Sequence, residues 1–251
     1  MSKPEIVVLR DADALAREAV GRFIRLVQEA VAERGRFTVA LSGGSTPEKL
    51  YALLAAPERR DRVAWDKVFF FVGDERFVGE SDPVSNFGMA RRALLEPVGS
   101  PPSNWFAMPT PLTVMDLAEA AHRYTDTLST FFQAPRLDTP PVFDLILLGL
   151  GDDGHTASLF PGKPSLETVA AWVVGTPPGT LPPPVDRLTL TFPVINAARN
   201  VLFLAAGEKK ADALQAVLKN GALPATHPAA GVCPVNGTLT YLLDQAAAAK
   251  L

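Results

Sequence analysis

The run Phe143-Asp144-Leu145-Ile146-Leu147-Leu148 is apolar at nearly every position, so a strand built from it is hydrophobic on both faces. Only a strand covered from above and below suits that pattern, and such strands belong to parallel sheets sandwiched between helices. Similar short runs recur at Ile6–Leu9, Phe37–Leu41, Val68–Val72, Trp172–Val174, Leu188–Thr191 and Val201–Ala205. Between them the apolar period changes. Val20, Phe23, Ile24, Val27 and Val31 fall on one helical face, as do Leu117, Ala121, Tyr124, Leu128 and Phe131, and again Ala211, Leu214 and Leu218. Strands separated by helices require right-handed crossovers. The expected fold is therefore α/β, a Rossmann-like and mainly parallel sheet flanked by helices on both faces. In such sheets ligands sit beyond the carboxyl ends of the strands.

The 251 residues suit one domain over 1–251, large enough to bury its core without staples. The one cysteine, Cys233, excludes an intramolecular disulfide and a cysteine-built zinc site, and reads as a small buried hydrophobe. Net charge is −3, with the two signs interspersed, so no basic block points to nucleic acid. An anionic substrate would need a local cluster of cations. Arg10 and Asp11 end the first apolar run too early for a signal peptide or a membrane span, which favours a cytoplasmic protein without a membrane partner. Pro97–Pro111 and Thr176–Pro184 are too rich in proline for helix interiors or central strands. They read as surface connections, or, for the second, as a stiff wall beside a site. Ala246–Ala249 reads as the last turns of a helix.

Three loops that follow strands concentrate the polar chemistry. Ser42-Gly43-Gly44-Ser45-Thr46-Pro47 leads into a helical pattern near Glu48, with Ser45 or Thr46 as its cap and Pro47 in its first turn. Two glycines let backbone N–H groups converge, and the helix start favours an anion such as phosphate. The loop has neither the lysine of an ATP-binding loop nor the third glycine of a dinucleotide fingerprint. Asp74-Glu75-Arg76 follows Phe69–Gly73 at the rim of the expected cleft. Arg76 can fork onto a phosphate, a carboxylate or a developing oxyanion, whereas Glu75 reads as a solvated charge. Asn86, in Ser85-Asn86-Phe87-Gly88, is either a helix cap or a polar group facing the substrate. In Gly149-Leu150-Gly151-Asp152-Asp153-Gly154-His155 a histidine stands at a strand end with Asp153 two residues before it. A neutral imidazole there can take a proton from water near neutrality, oriented by the carboxylate. His122 and His227 lack such surroundings and receive no role.

Together with the continuation Thr156–Pro161, these segments resemble the 6-phosphogluconolactonase family, and Arg187–Thr191, Gly207–Lys210 and Leu243-Asp244 continue the likeness in order. The wider superfamily includes glucosamine-6-phosphate deaminases and ribose-5-phosphate isomerases. Asp74-Glu75-Arg76 and the residues after His155 favour the lactonases, since the deaminases resemble Asp-Glu-Tyr at the former. Tyr241 stands where lactonases often carry Trp. The resemblance implies hydrolysis of 6-phospho-D-glucono-1,5-lactone with no metal and no cofactor, by a monomer or weak homodimer. It implies His155 as general base, Asp153 as its orienter, and the backbone N–H groups of a glycine loop or Arg76 at the oxyanion. It places phosphate on Ser42, Gly43, Gly44, Ser45 and Thr46 with Arg187 and Lys210, the latter preferred to Lys209 because of its distance from Gly207. Asp74 is implied to contact substrate. The competing readings are an aldose–ketose isomerase or deaminase on an aminosugar phosphate, and a non-catalytic phosphosugar sensor.

Overall fold

Asp11 accepts a hydrogen bond from the Ala14 N–H, and Gly35 adopts a left-handed φ of 73°, so both ends of the first long helix are set locally. That helix, α1 (Ala12–Arg34), buries Leu15, Ala19, Val20, Phe23, Ile24 and Val27. It joins β1 (Glu5–Leu9) to β2 (Phe37–Leu41), whose five residues are all buried. The computed structural model describes residues 3–134, 139–180 and 183–251. The chain continues through α2 (Ser45–Ala55), the single turn α3 (Pro57–Arg60), β3 (Val68–Val72) and β4 (Asp74–Arg76). Then come α4 (Asn86–Ala90), β5 (Trp105–Phe106), α5 (Leu117–Phe132) and β6 (Leu145–Leu148). Its last third comprises β7 (Val173–Thr176), β8 (Arg187–Leu190), α6 (Phe192–Ala197), β9 (Asn200–Ala205), α7 (Ala211–Leu218) and β10 (Thr238–Asp244).

Seven strands form one sheet in the order β1-β10-β9-β6-β2-β3-β5, and every pairing in it is parallel. The steps β1→β2→β3 run one way across it, while β5→β6 and β9→β10 run the other. Right-handed crossovers therefore put α1 and α2 on one face, where they pack together, and α5 and α7 on the opposite face. The direction reverses between neighbours β2 and β6, which opens a crevice at their carboxyl ends. The α/β architecture is the expected one.

Not every strand joins that sheet. β7 and β8 form a separate antiparallel sheet with β4, in the order β4-β8-β7. It is anchored to the end of β3 by the Leu190 N–H, which donates to Gly73 O at 2.9 Å. The short strand Trp105-Phe106 lies within the first proline-rich stretch, at the sheet edge where proline is tolerated. β10, between β1 and β9, is absent from the periodicity reading, although Asn236-Gly237 and the run Thr238–Leu243 carry a turn and strand signal. Tyr241 is buried there and stacks on Phe203 at 4.5 Å. Ala246–Ala249 forms turns rather than a helix, tied back by Asp244 Oδ1 accepting from the Ala247 N–H at 2.7 Å. Cys233 is half-buried rather than a core residue. No helix among the described residues is long and apolar enough to cross a membrane.

The strand expected from Phe143 starts only at Leu145, because Asp144 has another task. Its Oδ2 accepts from the Thr38 N–H at 2.8 Å and the Thr38 hydroxyl at 2.9 Å, while Oδ1 meets Arg34 at 3.0 Å. This buried carboxylate joins the starts of β2 and β6. Asp144→Ala would strand the Thr38 N–H and leave Arg34 without this partner. Urea unfolding should show a loss on the order of 1–3 kcal/mol, the cost of leaving a buried donor unpaired, whereas no measurable change would mean that the link is dispensable.

Candidate active site

The crevice between β2 and β6 begins with Ser42-Gly43-Gly44. Tyr51, from α2, fixes this turn, its hydroxyl donating to Ser42 O at 2.8 Å and accepting from the Ser42 N–H at 3.0 Å. The helix cap is Gly44, with φ at 102°, and it makes no side-chain capping bond. The expected capping by Ser45 or Thr46 is thus incorrect, since both are already helical. Without a side-chain cap, the first-turn N–H groups at Ser45 and Thr46 stay available to an outside acceptor. Gly43 has to be glycine for a different reason: a Cβ there would overlap the side chain of Asn86.

Beyond β3, Gly73 turns the chain into β4. Asp74 and Glu75 are buried, so Glu75 is not the solvated charge that its neighbours in sequence suggest. It accepts from the N–H groups of Arg76, Asn86 and Phe87, each at 2.7 Å, and from the Ser85 hydroxyl at 3.0 Å. Burial still pushes its carboxyl above the ordinary value, with the four donors opposing. Asp74 accepts from the Ser158 hydroxyl at 2.7 Å. Ser85 caps α4 by accepting from the Gly88 N–H, which leaves the Asn86 side chain for the cleft. Asn86 Nδ2 donates to Asp74 O at 2.8 Å, and its Oδ1 accepts from the Arg76 guanidinium.

Arg76 stands directly opposite Arg187 in the β4–β8 ladder. Like charges facing each other across strands repel unless an anion joins them. Arg187 is 5% exposed, and its guanidinium donates to Pro183 O at 2.9 Å and Val185 O at 3.1 Å, both neutral acceptors. Burial, and next the charge of Arg76, lower its pKa, opposed by Asp74 and Glu75. Among the described residues, Arg76 Nε is buried without an acceptor.

After β6 the chain makes a tight turn, with Gly154 N–H donating to Gly151 O at 3.0 Å and Gly151 N–H to His155 O at 2.8 Å. The turn brings His155 Nδ1 to 2.5 Å from Asp153 Oδ1. Burial raises the Asp153 carboxyl, but the hydrogen bond and charge of His155 outweigh it and hold the pKa below its ordinary value. An anionic acceptor assigns the proton to Nδ1 and leaves Nε2 with a free lone pair. The ring lies 4.9 Å from Phe160. Phe160 is backed in turn by Gly179 of the second proline-rich stretch, of which residues 181–182 lie outside the described residues.

The ring also fills the space a Cβ at 151 would need. Gly151→Ala should therefore displace the imidazole and lower turnover by roughly the 10²-fold or more that a lost base costs, in a protein with a native circular dichroism spectrum. Unchanged turnover would show that the ring has room to move.

One cleft of about 270 Å³ collects Ser42, Gly43 and Gly44 with Asp74, Arg76, Asn86, His155, Arg187 and Lys210. This volume suits one small polar molecule. Asp153 supports the ring from behind. The Ser45 and Thr46 side chains are not part of the lining, and Lys210 rather than Lys209 is. Lys210 Nζ meets Asp152 at 2.6 Å, a pairing that sequence alone did not single out. Ala157, Ser158 and Phe160 also line the cleft, brought inward by the left-handed Ala157 (φ 49°). His227 lies against Gly154, outside the cleft lining. Among the described residues no group of three or more His, Cys, Asp or Glu is placed to hold a metal ion.

The family described as glucosamine-6-phosphate isomerases/6-phosphogluconolactonase matches residues 10–241. A 6-phosphogluconolactonase of Synechocystis sp. is 43% identical over 249 residues, covering 99% of this chain and 98% of the relative. One from Nostoc sp. is 40% identical over 250 residues, covering 99% of both. The solved structure of 6-phosphogluconolactonase from Trypanosoma cruzi superposes with a TM-score of 0.85 at 30% identity, over 100% of this chain and 98% of that one. The chain belongs to the glucosamine-6-phosphate isomerase/6-phosphogluconolactonase family.

Proposed function

We propose that this protein hydrolyses 6-phospho-D-glucono-1,5-lactone to 6-phosphogluconate, with His155 as general base. The observation that carries the reading is an Asp153-held imidazole opening into the same cleft as two facing arginines, a lysine and a glycine turn at a helix start. A phosphate dianion on Gly43, Gly44 and the first-turn N–H groups, held by Arg187 and Lys210, relieves the repulsion across the β4–β8 ladder. The lactone carbonyl then lies toward His155.

Nε2 takes a proton from water as the water oxygen bonds to C1. The carbonyl π pair moves onto oxygen, where the Arg76 guanidinium or the N–H groups of the glycine loop meet the charge. When the carbonyl re-forms, the bond between C1 and the ring oxygen breaks, and that oxygen takes the proton from the imidazolium. Asp153 stabilises the cation throughout. The product carboxylic acid ionises at neutral pH, so each turnover releases one proton. Asp74 and Asn86 are suited to the sugar hydroxyls.

Substrate comparison tests the assignment. The phosphorylated lactone should be turned over with kcat/KM at least about 10²-fold above that of unphosphorylated gluconolactone, the scale of losing two charged phosphate contacts. Equal rates on the two would overturn the phosphate site. Release of ammonia from glucosamine 6-phosphate would instead support a deaminase, and binding without turnover of either sugar a sensor.

A further inference from the structure

Glu75 is the one deeply buried carboxylate of the site that the proposed mechanism leaves without a task. At 3% exposure it has no cation as partner among the described residues, and its four acceptor bonds go to three backbone N–H groups and one hydroxyl. Such a group is costly to bury, so all four donors are needed to hold it. Two of the four donors, the N–H groups of Arg76 and Asn86, belong to residues that line the cleft. A single oxygen, Oε1, accepts from the N–H groups of both Arg76 and Asn86, ten positions apart in the chain. The Asn86 side chain then reaches back to the Arg76 guanidinium and to the backbone of Asp74, and it lies against Gly43. Arg76 is thus held at its backbone directly by Glu75 and at its charged end by a residue that Glu75 fixes. Among the described strands β4 is an edge strand, paired only with β8, and Glu75 supplies the bonds along its open side toward α4.

We infer that Glu75 is a positioning residue for catalysis: its carboxylate locks Arg76 and Asn86 together, so that the guanidinium meets the reacting carbonyl. This rests on the lactonase reading of the same cleft. Glu75→Gln keeps the size but offers an NH₂ group to donors that already point at it.

The test is a double-mutant cycle of Glu75→Gln with Arg76→Ala, read as kcat on 6-phosphogluconolactone and as inorganic phosphate affinity. Glu75→Gln alone should lower kcat by roughly 10²-fold, and in the Arg76→Ala background by less than about 3-fold, because its effect passes through Arg76. Phosphate affinity, set by Arg187 and Lys210, should change by less than about 3-fold. Equal losses in both backgrounds, or an unchanged kcat, would overturn the inference and leave Glu75 a purely structural group. Should Glu75→Gln fail to fold, Ser85→Ala removes one donor, and its smaller kcat loss should likewise vanish beside Arg76→Ala; an additive loss counts against the inference. If the wild-type chain does not accelerate lactone hydrolysis, the functional reading fails by itself. The cycle is then read from calorimetric binding of 6-phosphogluconate, where non-additivity supports the Glu75 clamp and additivity overturns it.

Discussion

His155→Ala is expected to lower kcat by about 10²–10⁴ while KM stays within a few-fold. The size follows from losing a positioned base whose lone pair is set by one contact, the 2.5 Å approach of Nδ1 to Asp153. The proposed phosphate site draws on other elements, β8 and the turn after β2, so substrate should still be captured. Asp153→Asn separates orientation from basicity. An amide can donate to Nδ1, which would shift the proton to Nε2 and silence the base, so its loss should approach that of His155→Ala. The folded Asp153 also has a depressed pKa. Its contribution to stability is therefore complete above the usual carboxylate range and is lost as pH falls through the lower folded value. At neutral pH it is anionic, and Asp153→Asn should erase this acid-side dependence in pH-resolved unfolding. A His155→Ala enzyme with ordinary turnover would exclude the imidazole from the chemistry.

Arg187→Ala is the second large effect, and it should appear in KM. Charge-assisted bonds to phosphate contribute about 1.5–3 kcal/mol each, so kcat/KM should fall by roughly 10–150-fold with kcat much less affected. Arg187 is buried among carbonyl acceptors, which gives it one fixed direction. Lys210 is more exposed and shares its charge with Asp152, so Lys210→Ala should have the smaller effect. Raising the salt concentration should weaken the Lys210 contribution more than that of Arg187, since screening acts on exposed charges first. A fall in kcat alone for Arg187→Ala would move this residue from the phosphate to the reacting carbonyl.

The parallel sheet was legible because burial on both faces leaves a continuous apolar run, as in Leu145–Leu148, and because α1 and α5 carry long amphipathic periods. The second sheet was not. β4 is three residues of Asp-Glu-Arg, whose strand character comes from pairing with β8 and whose two carboxylates are buried by partners distant in sequence. The same cause hid Glu75. Its donors belong to residues 76 and 85–87, and nothing about the triplet Asp74-Glu75-Arg76 announces that a helix start closes over its middle member. His155 was legible because Asp153 and the flanking glycines are local, and a two-residue spacing suffices for the contact. Arg187 entered only through the family resemblance. Its partnership with Arg76 is a matter of strand register, which no single segment encodes. The Ser45 and Thr46 capping failed for a simpler reason: Gly44 takes the cap position itself, and the helix begins one residue earlier than a Ser45 cap requires and two earlier than a Thr46 cap does.

Proton release on mixing with freshly made 6-phosphogluconolactone, followed in weakly buffered solution beside a protein-free control, tests the central claim most directly. Acid should appear in proportion to wild-type enzyme and well above the spontaneous rate, while His155→Ala at the same concentration stays close to the control. A wild-type trace that overlays the control would contradict the account.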